Sequence, residues 1–275
     1  MSLSDGFRFD GKRVLVVGGA TGMGAAAAEL ALDLGAEVVV MDRADVTLAG
    51  VIAIGVDLAS QASIDAAVDG WGGPVHALLA CAGVADGTPG IERINFVGHR
   101  HLIDRMLDAG MLPAGSAIGF ISSAAGLGWE SNLEELSEVL AISDYDEAAA
   151  WFIDHRKADY FHTKQAMCAY VATRAYPMQQ RGIRVNAICP GPTVTPLAEA
   201  NKELWLEFGA DYRSDARVEA SSPMEQAYPL LFLCSDAAAY INGVTLITDA
   251  GYMSAGLTGA YPAATDAANF LMGRF

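Results

Sequence analysis

From Arg13 to about Thr248, short β-rich runs alternate with longer stretches of helical period, and this alternation limits the possible folds more than any other feature of the chain. A strand followed by a helix and then by a strand in the same direction needs a crossover, so repeated alternation builds a parallel sheet covered on both faces. The predicted strands are Arg13 to Val17, Glu37 to Met41, Val51 to Val56, Ala77 to Cys81, Ala117 to Ile121, Arg184 to Ile188 and Thr245 to Thr248. Between them, Gly24 to Leu34, Ser63 to Val68, Glu92 to Ala109, Asp159 to Arg181 and Met224 to Leu233 have the alanine content and apolar spacing of helices. The expected fold is α/β. One doubly wound domain spans residues 1–275, with a seven-stranded parallel sheet and helices on both faces, because no Pro-rich or Ser-rich linker divides the chain.

Three segments exceed the minimal alternation. Within Gly126 to Ala158, residues 127–157 read as a helical insertion between the fifth strand and the next helix. Ser131 and Glu134 form a capping-box pattern ahead of Leu136, Val139 and Leu140, and an acidic helix runs from Asp144 to His155. Residues 195–220 are long for a strand-to-helix loop and read as a lid over a site. The tail, 252–275, is apolar at Tyr252, Met253, Leu257, Tyr261, Phe270, Leu271, Met272 and Phe275, and is expected to dock on its own or a neighbouring subunit.

Charge and cysteine content narrow the function classes. With 33 acidic residues against 17 basic ones, the net charge is −16, the wrong sign for neutralising nucleic-acid phosphates, so no nucleic-acid partner is expected. Eight of the acids (Glu130, Glu134, Glu135, Glu138, Asp144, Asp146, Glu147 and Asp154) fall in the insertion and imply a solvated outer face there. No apolar run is long enough to span a membrane, and the start of the chain lacks a signal-peptide pattern, so a cytoplasmic protein with no membrane partner is expected. Cys81, Cys168, Cys189 and Cys234 are widely spaced and read as buried free thiols. His76, His99, His101, His155 and His162 make no metal-ligand motif, so no metal is expected, and His99 and His101 read as solvated helix positions.

The first strand runs into Gly18-Gly19-Ala20-Thr21-Gly22-Met23-Gly24 and then a helix. Glycines here permit a tight turn and let backbone N–H groups approach a pyrophosphate, the arrangement of a Rossmann-like nucleotide site. Asp42 ends the second strand, 18 residues after Gly24, where a carboxylate can accept from both adenosine ribose hydroxyls. It would repel a 2′-phosphate, which favours NAD over NADP; Arg43 beside it argues the other way. An ordinary turn at the glycines, and a cap or solvated loop charge at Asp42, are the competing readings.

Tyr160 and Lys164 stand four apart in a helical stretch and project from one face. An ammonium and a cationic nicotinamide nearby would lower the phenol's pKa from near 10 and make it an acid-base group. A buried tyrosine with a surface lysine one turn on is the plainer alternative.

These residues resemble the short-chain dehydrogenase/reductase family over nearly the whole chain. The family's T-G-x-x-x-G-x-G corresponds to Val17 through Gly24, its N-A-G to Cys81-Ala82-Gly83, and its closing D-G-G to Asp249-Ala250-Gly251. The valine and the cysteine should cost a turn contact and a hydrogen bond to the sheet. The resemblance implies catalytic roles for Asn95, Ser123, Tyr160 and Lys164, with Ser122 a structural neighbour. It implies cofactor contacts at Gly18, Thr21, Gly22, Met23, Gly24, Asp42, Arg43, Asp57, Leu58, Cys81, Ala82, Gly83, Tyr160, Lys164, Pro190, Gly191, Thr193 and Thr195. Ser123 and Tyr160 are 37 apart, where most of the family has about a dozen residues. The surplus is the insertion, which is shared with a subgroup resembling bacterial 3α-hydroxysteroid dehydrogenase/carbonyl reductase.

The implied reaction is reversible hydride transfer between a secondary alcohol and NAD. Tyr160 takes the hydroxyl proton, Ser123 holds the substrate oxygen, Lys164 tunes the phenol and binds the nicotinamide ribose, and Asn95 holds a relay water. The lid's Trp205, Leu206, Phe208 and Tyr212, with Trp129, Trp151 and Phe152, are expected to wall an apolar cleft for a steroid-, terpene- or aromatic-alcohol-like substrate; simple packing onto the body is the alternative. An NADPH-dependent carbonyl reductase and a non-catalytic NAD-binding sensor are the rival functions. The family also implies a homo-oligomer, either dimer or tetramer.

Overall fold

The structure, a computed structural model, describes residues 3–274, so Phe275 of the expected apolar tail lies outside the described residues. Seven strands form one parallel sheet: β1 (Arg13–Val17), β2 (Glu37–Asp42), β3 (Ile52–Gly55), β4 (Ala77–Ala80), β5 (Ala117–Ile121), β6 (Arg184–Pro190) and β7 (Thr245–Thr248). Their spatial order is β3-β2-β1-β4-β5-β6-β7. β1 pairs with both β2 and β4, with Val17 opposite Met41 on one side and Ala80 on the other. The strand order reverses at this point, and a doubly wound sheet opens a crevice there at the carboxyl ends of its strands.

The apolar runs of β1 and β4 lack alternation because both faces are covered. Leu15 and Val17 pack into one core layer, while Val14 and Val16 pack into the other. α1 (Gly22–Asp33) and α10 (Pro223–Cys234) cover the second layer. α2 (Gln61–Asp69), α3 (Gly98–Asp108) and α6 (Tyr160–Gln180) cover the first. The α10 start is held by a capping box in which Ser222 and Glu225 satisfy each other's backbone N–H groups.

The insertion forms a 3-10 stretch, Ala124–Asn132, followed by α4 (Leu133–Ala141) and α5 (Tyr145–Asp154). Its expected capping box does not form. Ser131 Oγ donates to the Gly128 carbonyl at 2.8 Å, and α4 starts after Asn132 without a side-chain cap. α5 is capped by Asp144, which accepts from Asp146 and Glu147 N–H. The acidic face is not purely solvated: Glu135 pairs with Lys157, Asp146 with Arg93, and Glu138 accepts from the Trp151 indole.

The lid comprises α7 (Pro196–Ala200), α8 (Lys202–Trp205) and α9 (Ala210–Ala216). The tail adds α11 (Tyr252–Thr258) and α12 (Thr265–Leu271) and docks on its own chain, with Met253, Ala268, Leu271 and Met272 packed against Cys168, Cys189 and Leu127. Among the described residues no helix is long and apolar enough to cross a membrane.

Candidate active site

Two clefts, of about 230 and 360 Å³, adjoin at the carboxyl ends of the central strands and share Met23, Cys81, Gly83, Thr195 and Leu197 as walls. The expected cofactor residues Gly18, Thr21, Gly22, Met23, Gly24, Asp42, Arg43, Asp57, Leu58, Cys81, Ala82, Gly83 and Thr195 line the first. Ser123, Tyr160, Lys164, Pro190, Gly191, Thr193 and Thr195 line the second. Asn95 is the one expected residue behind the walls, fully buried.

The glycine turn is forced by close approach. Gly18 has φ +86° and donates its N–H to the Met41 carbonyl, and a Cβ on it would sit 2.3 Å from Ala82 N. A Cβ on Gly24 would sit 2.0 Å from the Gly18 carbonyl oxygen. The next turn opens α1 with Thr21 in the cap position but making no side-chain cap, and with no acid in its first turn. Such an uncapped helix start on a cleft wall offers donors and a positive dipole end, which fits a pyrophosphate. The residues present therefore fit a dinucleotide.

Asp42 is partly buried, and its oxygens accept from the Ala20 and Ala44 N–H groups at 2.9 Å. It braces the glycine turn from the end of β2, and a carboxylate has lone pairs left for ribose hydroxyls. Asp57 is set in the same way, accepting from Ala59 N–H while its own N–H donates to Ser63 Oγ. The insertion reaches this wall: the buried Tyr145 hydroxyl donates to the Leu58 carbonyl at 2.6 Å, with the Arg93 guanidinium 4.9 Å from the Tyr145 ring.

The segment expected to be helical from Glu92 is helical there, and a π turn, Arg93–Val97, interrupts it before α3. Asn95 in that turn accepts from Val84 N–H at 2.8 Å and donates to the Val84 carbonyl and Thr163 Oγ1. It thereby ties the loop after β4 to α6. Both its amide hydrogens are committed, so a water at this residue can only donate to it.

Lys164 Nζ donates to the Ile121 carbonyl at 2.8 Å and lies 5.6 Å from the centre of the Tyr160 ring, as the one-turn spacing requires. Burial pushes Lys164 down to about 8, only partly opposed by the nearby Cys168, Cys189 and Cys81. The phenol shifts the other way from Lys164. Burial pushes Tyr160 up to about 12, with a hydrogen bond to Ser123 pulling the other way and the charge of Asp86 adding to the rise. In the protein alone, desolvation of a phenolate outweighs its neighbours. Ser123 ends β5's exit in extended conformation and accepts from Ala125 N–H, while Ser122 turns into the core and donates to the Lys164 carbonyl.

Of the expected cleft aromatics, only Trp205 and Phe208 line the wall, joined by Leu204 and Leu197. Trp205 packs on Tyr160 with ring centres 4.8 Å apart. Phe152 and Trp151 are buried in the core against each other, with Phe96 on Phe152. Trp129 is partly buried against the first core layer and the small cluster under the tail, and Tyr212 packs on Tyr252 and Tyr261. Leu271 from the tail and Asp86 from the loop after β4 line the cleft without having been expected there.

The two helix histidines are not solvated. His99 is buried, its Nε2–H donates to the Ala82 carbonyl at 2.9 Å, and burial pushes it down to about 4. His101 is half-buried and pairs with Asp65. The cysteines are free, but Cys81 reaches the cleft wall rather than being fully buried. No cluster able to hold a metal occurs among the described residues.

Sheet order, glycine turn and the Ser123, Tyr160 and Lys164 grouping define a dinucleotide-dependent oxidoreductase. A family model described as enoyl-(acyl carrier protein) reductase matches residues 18–253. The chain is 30% identical over 257 residues to the 3-alpha-hydroxysteroid dehydrogenase/carbonyl reductase of Comamonas testosteroni, covering 86% of this chain and 95% of the relative. It is 27% identical to the coniferyl-alcohol dehydrogenase of a Pseudomonas strain, covering 88% and 97%. The solved 3-alpha-hydroxysteroid dehydrogenase from Pseudomonas sp. B-0831, complexed with NADH, superimposes with a TM-score of 0.72 at 26% identity, covering 91% of this chain and 99% of that one. The chain belongs to the short-chain dehydrogenase/reductase family. It is an NAD(P)-dependent oxidoreductase acting on alcohol CH–OH groups.

Proposed function

We propose that the protein is an NAD-dependent dehydrogenase that interconverts a hydrophobic secondary alcohol and its ketone. The observation that carries the reading is the second cleft, where Ser123, Tyr160 and Lys164 share a wall with Trp205, Phe208, Leu204 and Leu271. In oxidation, Tyr160 accepts the hydroxyl proton and Ser123 donates to the substrate oxygen, holding it within reach. A nicotinamide held there would supply the hydride acceptor and a positive charge. That charge and Lys164 together offset the desolvation that holds the phenol near 12. Gly18 to Gly24 and Thr195 seat the pyrophosphate, Asp57 and Leu58 flank the adenine, and Pro190, Gly191 and Thr193 hold the nicotinamide side. Asn95 keeps the loop and α6 in register, and Lys164 binds the nicotinamide ribose.

Asp42 supports NAD over NADP, since its carboxylate sits at the adenosine end of the groove. Affinities of both cofactors should differ by tenfold or more in favour of NAD, and Asp42→Asn, which keeps an acceptor oxygen but loses the charge, should narrow the gap; an equal or stronger preference for NADP in the wild type refutes this choice. The names of the steroid and coniferyl-alcohol relatives agree with an apolar ring substrate. In a substrate panel, Trp205→Ala should raise KM for alicyclic and aromatic alcohols about tenfold, the worth of one lost apolar wall, and leave NAD affinity unchanged. Preference for small polar sugars or hydroxy acids refutes the substrate class. We take the working form to be a homo-oligomer, to be read from its mass by light scattering.

A further inference from the structure

We propose that Asp86 is a positioning residue for Tyr160: from the loop after β4 it fixes the backbone of the catalytic tyrosine and sets the charge that the phenol meets. The proposal rests on the alcohol-dehydrogenase reading of the site.

Tyr160 is the first residue of α6, so its N–H has no partner within the helix. The cap residue Asp159 does not serve it: a cap side chain reaches the N–H groups two or three residues on, and Asp159 accepts from His162 N–H at 2.8 Å and pairs with His162 Nδ1 at 2.7 Å. Asp86, 74 residues earlier in the chain, accepts the Tyr160 N–H at 2.6 Å. Its loop is itself pinned, since Asn95 holds Val84 at both backbone atoms and also takes up Thr163 of α6. The cofactor side of the groove and the catalytic helix are thus joined twice, once through a buried amide and once through a carboxylate at the tyrosine.

The second contact carries charge into the cleft. Among the described residues Asp86 and Lys164 are its only ionic side chains, and Lys164 spends one of its three N–H donors on the Ile121 carbonyl. Around Tyr160, β6 contributes Cys189, whose thiol burial and its Cys168 neighbour hold neutral, and α6 itself contributes Lys164 with the Asp159 and His162 pair at its start. Ser123 and Trp205 from the remaining elements do not titrate in this range. A carboxylate on the same cleft wall disfavours the phenolate, in agreement with the direction in which Asp86 moves it. The tyrosine therefore keeps its proton until an opposing positive charge enters the groove.

The test uses the full chain, NAD and 1-phenylethanol as probe alcohol, with kcat followed across pH for wild type, Asp86→Asn and Asp86→Ala. Asparagine keeps an acceptor for Tyr160 N–H but removes the charge, so the acid limb of kcat should move down by about half a pH unit or more with kcat at its plateau retained. Alanine removes both, and should add a fall in plateau kcat of roughly tenfold from a misplaced phenol, with NAD affinity unchanged. Asp86→Ser replaces it if the alanine variant does not fold. The same limb position in all variants overturns the proposal, as does an asparagine variant that loses plateau kcat while its limb stays put. If the wild type oxidises no alcohol, the function proposed above has failed instead; Asp86 is then judged from the phenol's titration, read by ultraviolet difference against Tyr160→Phe, which should shift down in Asp86→Asn.

Discussion

Replacing Gly24 with alanine sets two physical effects against each other with opposite signs. Alanine in a helix is worth about 1 kcal/mol over glycine from backbone entropy, so propensity alone predicts a more stable protein. The structure predicts the reverse. The new Cβ would lie 2.0 Å from the Gly18 carbonyl oxygen and 2.9 Å from its carbon, both backbone atoms. Relief at Gly18 is blocked, because its φ of +86°, its N–H bond to Met41 and the Ala82 backbone fix it from three sides. The start of α1 must therefore move by about 1 Å to reach van der Waals contact, and overpacking of this kind costs about 1–3 kcal/mol. The clash meets rigid backbone, which places it at the upper end, leaving a net loss of about 1–2 kcal/mol. The same displacement would spoil the proposed pyrophosphate seat, and a tenfold weaker cofactor corresponds to about 1.4 kcal/mol. Urea unfolding should give a lower midpoint at unchanged slope, and titration with NADH should give at least tenfold weaker binding. A Gly24→Ala protein that is more stable than wild type and binds NADH normally refutes the reasoning.

Two further changes separate structure from chemistry. Tyr145→Phe leaves the Leu58 carbonyl without its donor and should cost about 1–2 kcal/mol in urea unfolding, with NAD bound several-fold more weakly; unchanged NAD affinity would detach the insertion from the cofactor wall. Lys164→Met should abolish turnover yet raise stability at pH 7 by about 1 kcal/mol, since removing a buried ammonium outweighs the unmet Ile121 carbonyl. The sign follows from a folded-state value of about 8 against an ordinary 10.5: the burial cost is fully present below pH 8, where both states are charged, and fades as pH rises to 10.5. The variant's advantage over wild type in unfolding free energy should therefore shrink across that window, and a pH-independent difference would contradict it.

Much of the fold was legible because buried parallel strands leave a simple trace. β1, β5 and β7 begin and end at the predicted residues, as their apolar runs stop where turn residues start. The glycine turn and the Tyr160 and Lys164 spacing were readable for the same reason, being local in sequence. What escaped depends on distant partners. Ser131 and Glu134 match a capping box, but the 3-10 stretch before them offers Ser131 the Gly128 carbonyl, which wins locally. Trp151 and Phe152 were assigned to the cleft by their aromaticity, although α5 turns them onto the core beside Phe96. His99 could have been found: with Leu102, Ile103 and Met106 it falls at helical spacing on one apolar, buried face. Asp86 left no signal, because its partner is a backbone N–H 74 residues away, and Leu271 reaches the cleft only through the docking of the tail. Ala250, standing where the family has glycine, takes φ +56°, a strain no spacing discloses.

The proposed reaction turns on the Tyr160 phenol moving the substrate proton. Tyr160→Phe keeps the ring against Trp205 and removes only the hydroxyl. With NAD and a hydrophobic secondary alcohol, kcat should fall by at least about a thousandfold while the Kd for NAD stays within about twofold of wild type. Turnover within tenfold of wild type would contradict the account.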